Sequence, residues 1–369
     1  MGDAKSTMEG MERLIMNEDN VLDFYNKKRV LITGDTGFKG SWLSKIMCMA
    51  GAEVYGFSNG YTESPSLYEL IQLENKMTHI QGDVRNLDEV KKAFDIAKPE
   101  IVFHLAAQAI VRKSYINPVY TYETNVIGTL NVLECIRLSN TVKSFVNITT
   151  DKVYFNDERK EGFKEEDMLN GIEPYSNSKS CSELVTSSYK KSFFKDRKIG
   201  ISTVRAGNVL GGGDYAKDRI IPDCVRAVKA EKKIHIRTPN SVRPYQHVLD
   251  ALGAYMLVAK MQYIDASNGG EYNVGPNTDN VVMTNKVVDM FCTKWGNNAS
   301  WECTKDSGPY ESNFLSLNCE KIKKKFNWSP KWNIEKTIDK VVEFEKCDKK
   351  DYEKCMEKQI REFFDQSEY

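Results

Sequence analysis

Nothing in this chain approaches the ~18 consecutive apolar residues of a membrane-spanning helix. Its first segment is polar and acidic where a secretory signal is basic and then apolar. Histidine is nearly absent: His79, His104, His235 and His247 are the whole complement, and no two stand at a spacing suited to sharing a metal ion. No metal site is therefore expected. The nine cysteines include no Cys-x-x-Cys pair and cannot all be paired, which fits reduced thiols in a cytoplasmic compartment. Neither sign of charge is in excess. Lys+Arg and Asp+Glu both number 52, so no global field is available to hold nucleic acid or an anionic membrane surface.

What is present is length and pattern. A chain of 369 residues can bury one large α/β domain and a smaller one. Met1-Gly2-Asp3-Ala4-Lys5-Ser6 matches the loose N-myristoylation pattern, but Asp3 directly after the glycine makes the match poor. Residues 1–23 are expected to be a disordered leader. From Arg29 onward, short apolar runs alternate with glycine turns and helical stretches, and buried strands are predicted at 30–33, 52–57, 101–104, 144–148 and 201–204. Strands alternating with helices imply parallel βαβ units with right-handed crossovers. After Arg205 the pattern turns to glycine-rich loops and short mixed segments. From Asn333 it becomes strongly charged, with helical spacing at Ile334, Ile338, Val341 and Val342, which predicts a surface helix and then a fraying tail.

The first strand runs into Gly34-Asp35-Thr36-Gly37-Phe38-Lys39-Gly40 and then a helical stretch. Glycines let the backbone approach a pyrophosphate, and the helix N-terminus offers unpaired N–H groups. At this place in a βαβ pattern the loop predicts a bound dinucleotide, with Gly34, Thr36, Gly37, Phe38 and Gly40 around it. Asp83, with Val84 beside it, falls where a carboxylate can accept from the adenine amino group; a capped turn is the alternative. Leu105, Ala106, Ala107 and Gln108 follow a strand with small side chains, suited either to a close cofactor or to plain tight packing. About 20 residues past the first glycine, the acid that would mark NAD is replaced by Ser58 and Asn59. Lys39 can in principle meet a 2′-phosphate, so the motif leaves NAD or NADP open.

Tyr175 and Lys179 are four apart in a predicted helix over 176–190, which places them on one face. Thr149-Thr150-Asp151-Lys152 lies just past a strand end, where open α/β sheets place their ligands. A tyrosine is a poor base at neutral pH, but a neighbouring ammonium and an oxidised nicotinamide favour the phenolate. Tyr175 can then take a hydroxyl proton while hydride leaves the carbon, with Thr150 holding that hydroxyl in line.

These features resemble the extended short-chain dehydrogenase/reductase family. The strings GDTGFKGSWL, FHLAAQAIVRKS, TTDKVY, PYSNSKSCSELV, RAGNVLGGGD and RPYQHVL are similar to its CDP-glucose 4,6-dehydratase branch, over about residues 22 to 345. The resemblance implies NAD, contacted also by Tyr175 and Lys179, and an intramolecular redox cycle on a nucleotide-activated sugar. In that cycle Asp151 is the acid for water loss at C6, and Lys152 stands where dTDP-glucose dehydratases have the glutamate base for C5. Asn208, Arg219 and Arg243 are candidates for the substrate's diphosphate end, since guanidinium binds phosphate oxygens in pairs. A dTDP- or GDP-linked sugar, or an epimerase reaction, remains the alternative.

The expected fold is α/β, a Rossmann-like doubly wound parallel sheet with a smaller mixed α/β substrate domain. Residues 24–206 would form the NAD-binding domain, which also receives part of 245–275. Residues 207–345 would mainly bind the sugar nucleotide, and 346–369 would be a charged tail. The family further implies a homodimer through the helix that bears Tyr175.

Overall fold

The computed structural model describes residues 21–61, 65–277, 281–304 and 312–365. The leader lies mostly outside them. The strands are β1 (Arg29–Thr33), β2 (Glu53–Ser58), β3 (Thr78–Gln81), β4 (Ile101–His104), β5 (Ser144–Ile148), β6 (Gly200–Ala206), β7 (Asn208–Leu210), β8 (Ile234–Ile236), β9 (Val242–His247), β10 (Glu271–Val274), β11 (Val281–Met283) and β12 (Trp301–Cys303).

Seven of them form one sheet in the order β10-β6-β5-β4-β1-β2-β3, and every adjacent pair is parallel. Every residue of β4, β5 and β6 is buried, as befits parallel strands covered on both faces. Alternation along β1 splits the core: Val30 and Ile32 join Trp42, Leu43 and Ile46 on one face, while Leu31 joins Val90, Phe94, Val132 and Ile136 on the other. Two sheet strands escape the sequence pattern. β3 is a polar, half-exposed edge strand, and β10 is only four residues long. The strand order reverses between β1 and β4, which opens a crevice at their carboxyl ends.

The chain leaves this sheet at Gly207, directly after β6. A Cβ there would come within 2.6 Å of Pro244 Cγ and 3.3 Å of Asp151 Oδ2, so only glycine lets the two parts of the molecule meet this closely. Strands β7, β9 and β11 form one small sheet, and β8 pairs with β12 in another. Leu210, Ile221, Ile234, Phe291, Ile338 and Val341 build a separate core around them. The helix Val248–Ile264 and β10 bring the chain back to the large sheet.

Residues 346–365 do not fray. A helix, Tyr352–Phe364, buries Tyr352, Cys355, Met356, Ile360 and Phe363 in the main core. Its lysines and glutamates line the opposite face, and that charge conceals an apolar stripe at helical spacing. Lys45, buried on helix Phe38–Met49, pairs with Glu353 and Glu357 at 2.5 Å each and fixes the contact. The surface helix expected from Asn333 onward is Ile334–Lys346, and its apolar positions are buried rather than superficial. No described helix is long and apolar enough to cross a membrane.

Candidate active site

The crevice above β1 is shaped for a dinucleotide. Gly34 takes a left-handed conformation with φ 75°, and a Cβ on Gly40 would fall 2.1 Å from the Gly34 carbonyl oxygen. Gly37 caps helix Phe38–Met49 without a side chain, so the cap itself offers the first-turn N–H groups no side-chain acceptor. That donor set fits a pyrophosphate. The Thr36 hydroxyl donates to the Gly60 carbonyl at 2.7 Å and lies 3.0 Å from Ser58 Oγ, tying the loop to the end of β2. Asp35 is fully buried and bonds His79 Nδ1 at 2.8 Å, a contact that raises the histidine's pKa.

The other cofactor candidates divide. Asp83 follows β3, but its carboxylate accepts from Arg85 and from Asn59, so an adenine amino group would have to share it. Val84 is buried against Gly128. Leu105 and Ala107 line the cleft, whereas Ala106 backs Gly34. Gln108 is turned inward: its amide donates to Thr121 Oγ1 at 2.9 Å and its carbonyl accepts from Ile110 N. Lys39 is not at the ribose end where a 2′-phosphate would lie. It lines the catalytic cleft, within electrostatic reach of Arg219, Lys179, Asp151 and Asp214.

The catalytic candidates converge. Thr150 caps a short 3-10 turn, Asp151–Val153, directly after β5, and its hydroxyl donates to Asp151 Oδ1 at 2.9 Å. Glu173 accepts from the Tyr175 and Ser176 amides, and Pro174 supplies the first residue of helix Pro174–Phe193. Tyr175 thus sits in that helix's first turn, pointing into the same cleft as Thr150, Asp151 and Lys152. Lys179 donates to the Ile148 carbonyl at 3.0 Å. One turn further on, Glu183 forms a buried pair with Arg205 at 2.9 Å and accepts from the Thr149 hydroxyl. This ion pair buttresses the catalytic turn from behind, and nothing in the local sequence pattern announces it.

Burial pushes the Tyr175 phenol up to about 12, while the Thr150 hydroxyl and the Arg219 guanidinium pull it down. Arg219, expected only as a phosphate ligand, is therefore also a cation that acts on the phenol. Burial lowers Lys179 to about 8, with Glu183 opposing. Asp151 is raised by its burial, against the pull of Lys152, Thr150 and Arg243. A carboxyl of that kind holds its proton better than an exposed one, which suits an acid.

At the far end of the cleft, Asn208 stands on β7, and Arg219 pairs with Asp214 at 3.0 Å. Arg243 donates to the Val242 and Ser312 carbonyls. A second basic group here has no signal in the sequence pattern. Arg112 and Arg237 reach Asp218 from opposite walls at 3.6 and 3.1 Å.

The sequence profile of the GDP-mannose 4,6 dehydratase family matches residues 31–341. The chain belongs to this family. It is 41% identical over 331 residues to the CDP-glucose 4,6-dehydratase of Salmonella typhimurium, covering 88% of this chain and 92% of that one. Among solved structures it resembles the UDP-glucose 4-epimerase of Thermus thermophilus in complex with NAD, at 26% identity and a TM-score of 0.73, over 85% of this chain and 97% of that one. The dTDP-glucose 4,6-dehydratase of Bacillus anthracis, also in complex with NAD, superposes with a TM-score of 0.72 at 24% identity, over 85% and 94% of the two chains. Dehydratases and epimerases in this family share one fold, so the reaction has to be argued from the site.

Proposed function

We propose that this protein is an NAD-dependent CDP-glucose 4,6-dehydratase, which converts CDP-D-glucose to CDP-4-keto-6-deoxy-D-glucose and water. The observation that carries the reaction is Asp151, a buried carboxyl with a raised pKa beside Thr150 and Tyr175. A 4-epimerase needs the tyrosine and lysine but no acid at C6. The 41% identity to the Salmonella enzyme supports the CDP-sugar over its dTDP- and GDP-linked counterparts.

NAD in the glycine-loop crevice supplies a hydride acceptor that returns the same hydride later in the cycle. Tyr175 takes the proton of the 4-hydroxyl, and Thr150 holds that hydroxyl in line. The ketone formed at C4 acidifies the C5 proton, and a base removes it. Asp151 then protonates the departing 6-hydroxyl, which leaves as water. Asn208, Arg219 and Arg243 face the nucleotide end, joined by Arg112 and Arg237.

The assembly in this reading is a cytoplasmic homodimer. Leu184 on helix Pro174–Phe193 and the neighbouring Val119 and Ile127 are exposed, and Pro118, Tyr122, Val126 and Cys181 line an apolar depression between them. Such a face on a helix that also carries the catalytic tyrosine suits a second copy of the chain. The test is incubation with a panel of nucleotide-activated glucose and mannose compounds, following the alkali-developed chromophore of the 4-keto product. Turnover should be largest with CDP-glucose and should leave no net NADH. Stoichiometric NADH would mean a simple dehydrogenase.

A further inference from the structure

A dinucleotide-binding sheet ordinarily ends its second strand on an acid that takes the adenosine ribose hydroxyls, and the same charge disfavours a 2′-phosphate. Here Ser58 ends β2 and Asn59 follows, so that acid is missing. A different carboxylate stands beside the same strand end. The Gly34 amide donates to the Phe57 carbonyl at 2.8 Å, which sets the start of the glycine loop level with the last residues of β2. Asp35, the next residue, turns its side chain toward β2 and fills the space that a side chain on Gly56 would take: a Cβ there would fall 2.0 Å from Asp35 Oδ2. Thr36 in turn binds Ser58 and Gly60, so loop and strand end form one unit.

A carboxylate buried beneath a loop shaped for a pyrophosphate is electrostatically costly. Asp35 is fully buried, its Oδ2 meets His79 Nδ1 at 2.8 Å, and its Oδ1 has no partner among the described residues. Helix Leu67–Leu70 packs Tyr68 against this pair, with Tyr61, Glu74 and Cys48 within electrostatic reach of that phenol. Lys45 and Lys76, beyond Cys48, are engaged by Glu353. Arg85, the basic residue after β3, is held by Asp83 and Glu123.

We propose that Asp35 determines cofactor specificity, its buried carboxylate selecting NAD over NADP from the glycine loop in place of the acid missing at the end of β2. This rests on a nicotinamide dinucleotide in the glycine-loop crevice and is independent of the nucleotide sugar. A 2′-phosphate would bring about two negative charges to the strand end, next to an anion that solvent and salt screen poorly. NAD has a neutral hydroxyl at that position. His79 modulates the effect. Its hydrogen bond to Asp35 raises its pKa, with burial opposing and Gln81 assisting. While the imidazole is protonated the pair is close to neutral, and once it loses that proton the carboxylate is uncompensated. Discrimination against NADP therefore grows as pH rises through the histidine's pKa.

The experiment strips full-length protein of nucleotide with charcoal and titrates it with NADH and with NADPH, following nicotinamide fluorescence at about pH 6 and about pH 9. Wild type should bind NADPH at least ~10²-fold more weakly than NADH at the higher pH, and less discriminately at the lower. Asp35→Asn preserves size and an oxygen to accept from His79. It should cut the ratio of the two dissociation constants by about tenfold at the higher pH, leaving only the pH dependence of the phosphate's own ionisation, which every variant shares. His79→Gln changes a partly exposed side chain and leaves the carboxylate uncompensated throughout, so full discrimination should persist at the lower pH. A ratio within about threefold of wild type in Asp35→Asn would overturn the proposal, because a merely structural role moves both affinities together. So would wild type that binds the two dinucleotides equally, or a pH dependence that His79→Gln leaves intact. Protein that binds neither would sink the cofactor reading itself, a failure distinct from equal binding.

Discussion

Replacing Asp151 with asparagine should divide the reaction in two. Asp151 is nearly inaccessible, and Thr150 donates to its Oδ1 at 2.9 Å, a bond that an asparagine carbonyl keeps. The change falls on Oδ2, which has no partner among the described residues and would become an amide unable to donate a proton as an acid. General acid catalysis contributes about 10²- to 10⁴-fold, or roughly 3 to 5 kcal/mol at 1.36 kcal/mol per decade. The upper half of that range is expected here. The Tyr175 phenol in the same cleft is lifted by burial to about 12, too weak an acid to substitute. Oxidation at C4 does not need Asp151 and should survive. In a stopped-flow experiment with CDP-glucose, absorbance of reduced nicotinamide should rise and persist, while 4-keto-6-deoxy product forms at least ~10³-fold more slowly than in wild type. Turnover within about threefold of wild type would refute the assignment of the acid and favour an epimerase or dehydrogenase.

Tyr175→Phe should abolish reduction of the nicotinamide yet keep the cofactor bound, because the glycine loop holds the pyrophosphate; fluorescence titration with NADH checks the second half. Arg219→Gln removes a cation that lowers the Tyr175 pKa. Since the deprotonated phenol is the active form, the rising limb of the pH profile for C4 oxidation should move to higher pH, with activity at neutral pH reduced; an unmoved limb would contradict this. Glu183→Gln leaves Arg205 charged and unpaired in the core, and should destabilise the protein by about 3 to 5 kcal/mol in denaturant unfolding. Phe363→Ala, in the region whose composition suggests a tail, should lower stability by roughly 3 to 5 kcal/mol, whereas a residue in a true tail would show no effect.

The parallel sheet and the catalytic turn are legible in the sequence because their signals are local. A buried strand running into Gly34 to Gly40, or Tyr175 and Lys179 on one helix face, needs no tertiary knowledge. The features that escape share an opposite cause. Glu183 and Arg205 lie 22 residues apart and meet only when the helix packs on β6. Arg112, Asp218 and Arg237 come from three separate segments. Lys39 reads as a charge in a phosphate-binding loop, and only the position of Tyr255, 216 residues on, shows which way it turns. The helix Tyr352–Phe364 misleads in another way: composition speaks louder than periodicity, because its charged side chains outnumber the buried apolar ones that define its face.

That helix also bears on when the protein can fold. It packs against helix Phe38–Met49, which follows the glycine loop, through Lys45 and through the core shared by Trp42, Phe344 and Tyr352. A ribosome releasing the chain from its N-terminus therefore exposes the glycine loop and its helix long before their covering partner exists. Domains ordinarily finish folding in the order in which they emerge. Here helix Phe38–Met49 must wait for a partner 308 residues further along the chain, and its apolar face stays open to chaperones, or to other copies of itself, until that partner emerges.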